Sequence, residues 1–318
     1  MKAWVVRQLG GPETMRFEDV DAGAPANGVV RIAVRASAIN YFDALMIAGQ
    51  YQVKPDLPFV PGAEVSGVVE SAPRGAHVKS GDRVTALLDS GGLTRGGYAE
   101  ISDAVPSSVL PMPDTMSFED GAGFTLIFQT AWFGLHRRAK LLSGETLLVH
   151  AGAGGVGSAA IQVGKAAGAM VIATAGSDEK TAVCRQLGAD HVINYKTDRF
   201  EHLVRKITQK KGVDVVFEHT GADTWDGSLL SMKRGGRLVT CGATSGPMGK
   251  INLMQLFQQQ YKIFGSFGFT IRNVAEALAY IAKGVKPVID SEVSLADFQK
   301  GLERLERRRV FGKIVVRF

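Results

Sequence analysis

The 318-residue sequence predicts an α/β protein in which a doubly wound parallel sheet is joined to a separate β-rich unit. Three observations lead there. From 146 to 241 short apolar strands alternate with amphipathic helices, the pattern of βαβ units and a parallel sheet buried on both faces. The first third is instead strand-rich and divided by Gly-Asp, Gly-Gly and Pro-Gly turn signals. Finally, the strand at Thr146–His150 runs directly into a glycine-rich turn that opens a helix.

In the first third, strands are expected at Val29–Ala38, Glu64–Ser71, Arg83–Leu88 and Tyr98–Ile101, with a short helix at Tyr41–Ala48 ending at Gly49. In the middle, strands at Met170–Ala175, His191–Tyr195, Val213–Glu218 and Arg237–Cys241 flank helices at Val156–Ala167, Asp178–Leu187, Phe200–Gln209 and Thr224–Met232. Gly168 and Gly188 stop the first two helices, as left-handed C-terminal caps prefer. A strand at Tyr261–Phe267, helices at 273–283 and 296–307, and strands at 288–293 and 313–317 follow. The last segment is expected to return to the first domain. The expected bounds are 1–122 with 266–318 for the β-rich domain and 123–265 for the parallel-sheet domain.

Hydrophobic residues make up 45% and charged residues 21%, ordinary for a globular chain with a sizeable core. The net charge of +6 suits an anionic ligand such as a dinucleotide, and no long basic block points to nucleic acid. Arg307, Arg308 and Arg309 read as a solvated helix end. Cys184 and Cys241 are the two cysteines, too few for a disulfide framework. The N-terminus shows no signal-peptide pattern, and no apolar run reaches the roughly 20 residues of a membrane helix. A cytoplasmic location is therefore expected, with no membrane and no nucleic-acid partner.

The turn Ala151-Gly-Ala-Gly-Gly-Val-Gly157 contains G-x-G-x-x-G as Gly152, Gly154 and Gly157. One glycine makes the tight turn, one admits a pyrophosphate, and one lets helix and strand pack closely, so that the helix N-terminus faces the phosphates. With Gly155 and Val156 these residues form a Rossmann-type dinucleotide site. An NAD-preferring site carries Asp or Glu at the end of the next strand, to hold the ribose 2′-hydroxyl. Here that strand ends at Ala175 and Gly176. Asp178 and Glu179 read as first-turn residues of the following helix. The missing acid points to NADP(H), with Ser177, Lys180 and Tyr195 as candidates for the 2′-phosphate. Lys180 also reads as a solvated helix lysine. His219 and Thr220 end a central strand on the side where ligands bind such sheets, as ribose contacts or as plain strand-end residues.

Ordered motifs along the chain, namely Pro61-Gly-Ala-Glu-Val-Ser-Gly67, Gly81-Asp-Arg-Val84, Gly97-Tyr-Ala-Glu100, Thr130-Ala131 and Phe311-Gly-Lys313, resemble the medium-chain dehydrogenase/reductase superfamily. The resemblance implies a GroES-like catalytic domain beside the Rossmann domain. It also exposes a departure. The zinc alcohol dehydrogenases of that superfamily place a catalytic cysteine where this chain has Asn40, and a histidine where it has Ala63 beside Glu64. Their four-cysteine lobe has no counterpart between Leu87 and Tyr98, and the six histidines show no ligand spacing. The sequence is thus similar to the zinc-free branch of quinone oxidoreductases and enone or enoyl reductases, with no metal site.

By that resemblance Asn40, Asp43 and Tyr51 face the nicotinamide or the substrate, and Tyr51 takes the place of a tyrosine that hydrogen-bonds the acceptor. The same resemblance adds Thr130, Cys241, Phe267 and Lys313 to the cofactor contacts. The bland alternatives are helix capping by Asn40 and Asp43, and packing by Tyr51. The implied reaction is hydride transfer from NADPH to a quinone or an α,β-unsaturated carbonyl. Reduction of an enoyl thioester and non-catalytic dinucleotide binding are the alternatives. A homodimer is expected from the resemblance and from the apolar edge strand Tyr261–Phe267.

Overall fold

The structure, a computed structural model, describes residues 1–268 and 270–318. Along the chain, β1 (Lys2–Val6) and β2 (Met15–Asp19) precede β3 (Val30–Ile39), α1 (Tyr41–Ile47), β4 (Glu64–Ser71) and β5 (Arg83–Leu87). Next come β6 (Ile101–Ala104), β7 (Val109–Pro111) and α2 (Phe118–Trp132). An alternating series follows: β8 (Thr146–Val149), α3 (Gly155–Ala166), β9 (Met170–Ala175), α4 (Asp178–Gln186), β10 (His191–Asn194) and α5 (Phe200–Ile207). It continues with β11 (Val213–Glu218), α6 (Ala222–Ser231), β12 (Met232–Thr240), α7 (Leu253–Gln259) and β13 (Lys262–Gly265). Then come α8 (Ile271–Leu278), β14 (Ile289–Ser294), α9 (Phe298–Glu306) and β15 (Lys313–Arg317).

The chain divides into two compact units. Unit 1 comprises Met1–Leu126, Thr270–Ala275 and Pro287–Phe318, and unit 2 comprises Ile127–Phe269 and Glu276–Lys286. The boundary near 266 differs from the sequence expectation. Ser266 extends the β13 ladder by donating its N–H to Thr240 O at 2.8 Å, which keeps this stretch in unit 2. Glu276 and Lys286 also belong there, through the Arg137–Glu276 ion pair and the Lys286 N–H donated to Gln162 Oε1.

Unit 1 is built on a seven-stranded sheet in the order β14-β15-β3-β4-β5-β7, with β6 also on β3. Strand β3 shows why this sequence makes a sheet. Val30, Ile32 and Val34 alternate onto one buried face, where they pack with Val65, Val84 and Ala86. A second core gathers Trp4, Ile47, Phe59, Tyr98, Phe298 and Ile314. The expected strand at Tyr98–Ile101 begins only at Ile101. The three residues before it pair with β1 instead, the Trp4 N–H donating to Tyr98 O at 3.0 Å. Helix α2 went unforeseen because Ala122, Phe124, Leu126, Ile127, Phe128 and Ala131 are all buried. A helix that is apolar around its circumference has no one-sided period to read.

Unit 2 holds a six-stranded parallel sheet in the order β10-β9-β8-β11-β12-β13, the doubly wound arrangement that the sequence predicts. Leu148, Ile172, Val216 and Leu238 fill one of its faces, packed with Phe200, Val204 and Leu229. The strand order reverses between β8 and β11, which opens a crevice at the carboxyl ends of those two strands. Among the described residues, no helix is long and apolar enough to cross a membrane.

Candidate functional site

In unit 2 the crevice is floored by the turn from β8 to α3. Ala151 takes a left-handed φ of 44°, and its carbonyl accepts the Gly154 N–H at 2.9 Å. A Cβ built on Gly157 would stand 2.2 Å from Ala151 O, so only glycine lets α3 start this close to the strand. Gly154 is different: an added Cβ would meet only Ala151 O, at 3.3 Å. The protein leaves the space over Gly154 clear, in front of a helix whose first N–H groups (Gly155, Val156, Gly157) have no intrahelical acceptor. That is a cradle for a pyrophosphate.

At the end of β9, Ala175 is buried and no carboxylate follows it before Asp178. Gly176 lies against the Tyr195 hydroxyl, which would sit 2.5 Å from a Cβ there. Ser177 caps α4, its hydroxyl oxygen accepting the Lys180 backbone N–H at 3.3 Å. The partly buried Lys180 side chain thus springs from the first turn of α4, beside Ser177 and one strand away from Tyr195. Lys196 stacks its ammonium over the Tyr195 ring and adds a cation to this corner.

At the end of β11, the His219 Nε2 donates to His150 O at 2.7 Å. Burial holds the His219 ring below the usual histidine pKa, so it stays neutral and its Nδ1 is left as an acceptor. Thr220 Oγ1 is buried without a partner among the described residues, the mark of a hydroxyl that bonds a ligand or water. Beneath them lies a network the sequence reading missed. His150 is fully buried, with Nδ1 3.1 Å from Thr174 Oγ1 and Nε2 2.9 Å from Ser228 Oγ. The Ser228 hydroxyl in turn donates to Glu218 Oε2 at 2.7 Å. Glu218 also accepts the backbone N–H groups of Thr220 and Gly221, which fixes the loop carrying Thr220.

The remaining unit 2 candidates are more dispersed. Cys241 follows β12 on the carboxyl edge of the sheet, and burial pushes its thiol up to about 12, so it remains protonated. Phe267, just past β13 on the same edge, is 63% exposed. Thr130 lies on α2, where its hydroxyl accepts from Gln129 Nε2 at 3.2 Å.

Unit 1 holds a second polar cluster, where β3 runs into α1. The Asp43 Oδ2 accepts the Asn40 N–H at 2.7 Å, one half of a capping box, and also accepts the Tyr98 hydroxyl. Asp43 Oδ1 is buried and has no partner among the described residues. Burial, only partly offset by these hydrogen bonds, raises the Asp43 carboxyl to about 7. The Asn40 Nδ2 donates to Glu64 Oε1 at 3.0 Å, and Glu64 Oε2 accepts the Leu126 N–H at 2.7 Å. Lys313 is enclosed: its side chain is 3% exposed, and its ammonium donates to Ile39 O, Asn40 Oδ1 and Glu64 Oε1, all within unit 1. Tyr51 is half-buried and stacks on Phe42 at 5.3 Å between centroids, with burial raising its phenol pKa. In the sequence Glu64 and Tyr98 stand only as motif residues. Nothing in their spacing showed that they would meet Asn40, Asp43 and Lys313.

Comparison with known proteins accounts for both units. Residues 26–114 match the alcohol dehydrogenase GroES-like domain, and residues 155–283 match the zinc-binding dehydrogenase family. The quinone oxidoreductase of Rattus norvegicus is 34% identical over 304 residues, covering 93% of this chain and 91% of that protein. The crystal structure of Escherichia coli quinone oxidoreductase complexed with NADPH superposes with a TM-score of 0.89 at 30% identity, covering 100% of both chains. That of an NAD-dependent alcohol dehydrogenase superposes at 0.94 with 33% identity, again covering 100% of both. With the sheet order, the glycine turn and these relatives in agreement, the chain belongs to the medium-chain dehydrogenase/reductase superfamily, in its quinone oxidoreductase-like branch.

Proposed function

We propose that this protein is an NADP(H)-dependent oxidoreductase that reduces quinones or α,β-unsaturated carbonyls without a zinc ion. The observation that carries the cofactor choice is the end of β9. A carboxylate there would repel a 2′-phosphate, and the chain instead presents Gly176, Ser177, Lys180 and Tyr195. One solved relative is NADPH-bound and another is NAD-dependent, so the choice rests on this chain's own strand end.

In this reading Gly154, Gly155, Val156 and Gly157 receive the pyrophosphate. His219 accepts a ribose hydroxyl, and Thr220 uses its unpartnered hydroxyl on the ligand. Thr130, Cys241 and Phe267 are assigned as further cofactor contacts. When bound, NADPH supplies the hydride. The Tyr51 hydroxyl donates to the oxyanion that develops on the acceptor, the task a Lewis acid performs elsewhere. Asn40 and Asp43 shape the floor beneath that acceptor.

The donor chemistry supports independence from zinc. Asn40 offers a neutral amide where a thiolate ligand would be needed, Ala63 offers nothing, and both Glu64 oxygens are engaged. A homodimer in the cytoplasm completes the proposal. Exposed Leu253, Met254 and Phe257 on α7, next in sequence to the edge strand β13, support the pairing, which light scattering at micromolar protein tests. The deciding experiment is a panel of quinones, enals, enones and simple primary alcohols, followed by nicotinamide absorbance with and without a strong chelator. NADPH-driven reduction that survives chelation is expected. Ethanol oxidation abolished by chelation would sink the reading.

A further inference from the structure

Unit 2 has a second concavity, at the other end of its sheet. A cleft of about 530 Å³ opens beside the start of β12, the turn after α5, helix α7 and Tyr261. These lie at the amino ends of the parallel strands, whereas the glycine-rich turn follows a carboxyl end. The six-residue strand β11 separates the two ends by roughly 17–20 Å, at about 3.3 Å per residue. A dinucleotide lying along the carboxyl edge therefore leaves this cleft open.

The charge of the cleft is one-sided. Arg205, Lys210, Lys211 and Arg234 line it, and among the described residues none of them has a carboxylate partner. Other basic groups close by in sequence are paired, Lys233 with Asp214 and Arg237 with Glu145. The single lining carboxylate, Glu201, is held at 2.6 Å by Arg199, which does not line the cleft. Four like charges converging on one concavity raise its potential and favour a polyanion.

The backbone that carries Lys210 is also held in place. Gln209 and Lys210 both adopt left-handed backbone, with φ of 51° and 66°. The Lys210 N–H donates to Arg205 O at 2.6 Å, and the Thr208 hydroxyl oxygen accepts the Gly212 N–H at 2.9 Å. Two consecutive non-glycine residues at positive φ are costly and persist only where the surroundings impose them. Tyr261 lines the cleft beside the cations, and burial raises its phenol pKa, so its hydroxyl stays a donor. Buried Met232 and half-exposed Leu230 are the apolar part of the lining.

We propose that this cleft is a second ligand site, separate from the dinucleotide crevice, that binds a small polyphosphate ester of nucleotide size. Its phosphates sit on Arg205, Lys210, Lys211 and Arg234, and its organic part lies against Tyr261 and Met232. The chemistry is that of charge-assisted hydrogen bonds from Arg and Lys to phosphate oxygens.

Isothermal titration of the full chain with ATP and with inorganic tripolyphosphate tests the assignment, in the presence of saturating NADPH or NADH, whichever binds. Saturable binding near 1:1 is expected, weakened at least tenfold in Lys210→Ala/Arg234→Ala while cofactor affinity stays within twofold. Lys233→Ala removes a neighbouring cation that is already paired, and it should change the affinity by less than twofold. The proposal fails if neither probe binds at millimolar concentration, or if the cofactor displaces the probe. It also fails if Lys233→Ala weakens binding as much as the double variant does, since that outcome is diffuse electrostatics rather than a site.

Discussion

The Lys313 ammonium stands 2.9 Å from Glu64 Oε1, with 3% of one side chain and none of the other exposed. A charge pair so enclosed is sensitive to the loss of either member. Lys313→Met leaves the Glu64 carboxylate buried without its counter-charge, and should destabilise unit 1 by about 3–5 kcal/mol. Glu64→Gln/Lys313→Met removes both charges and should recover much of that loss. Urea unfolding of the three proteins measures it, and equal stability of the single and double variants would show that the pair is not coupled.

Asp43 makes stability depend on pH with an unusual sign. Its carboxyl is raised to about 7 in the folded protein, against about 3.9 in an unfolded chain. Between those values the native state binds the extra proton, so this residue's contribution is full below pH 4 and is lost as pH rises towards 7. Asp43→Asn removes the titration. The wild type should lose on the order of 2–4 kcal/mol relative to the variant from pH 4 to pH 7.5. Parallel unfolding profiles over that range would show that Asp43 does not titrate there.

Tyr51→Phe separates the hydroxyl from the ring. The stack on Phe42 is preserved, so the change reports the donor alone. If that donor meets the developing oxyanion, kcat should fall by about 10²-fold with enones. With quinones, whose product gains aromatic stabilisation, the fall should be small. An unchanged rate for both acceptor types would reduce Tyr51 to a packing residue.

Lys180→Ala tests the 2′-phosphate corner. A charge-assisted contact to phosphate contributes on the order of 1.5–3 kcal/mol, so NADPH affinity should drop by about tenfold or more with NADH nearly unchanged. Fluorescence titration of both cofactors decides it. Equal weakening of the two, or a native preference for NADH, would contradict the assignment.

The parallel-sheet unit was far more legible in the sequence than the β-rich one. Strands Met170–Ala175 and Val213–Glu218 were readable to the residue, because a strand buried on both faces is a continuous apolar run bounded by turn residues. The glycine turn was readable because each glycine answers a local steric demand. In unit 1, Tyr98 and Lys313 are far apart in sequence, yet they bind Asp43 and Asn40. No local pattern encodes a buried polar network assembled from four distant segments. His150 escaped notice for the same reason, since its partners Thr174 and Ser228 come from β9 and α6.

Strand β15 lies between β14 and β3, with Ile314 opposite Ile39. During synthesis the sequence that builds the whole of unit 2 therefore leaves the ribosome before the residues that finish the unit 1 sheet. Unit 2 pairs strands at most some 68 positions apart and can fold as it emerges, whereas unit 1 must wait for a contact that spans some 275 positions. Until then Glu64 and Asn40 lack their ammonium partner, and β3 has an open edge from Ala36 to Ile39. The nascent chain thus acquires its parallel-sheet unit first and closes the unit 1 sheet last, and in that interval it most needs protection from pairing with other chains.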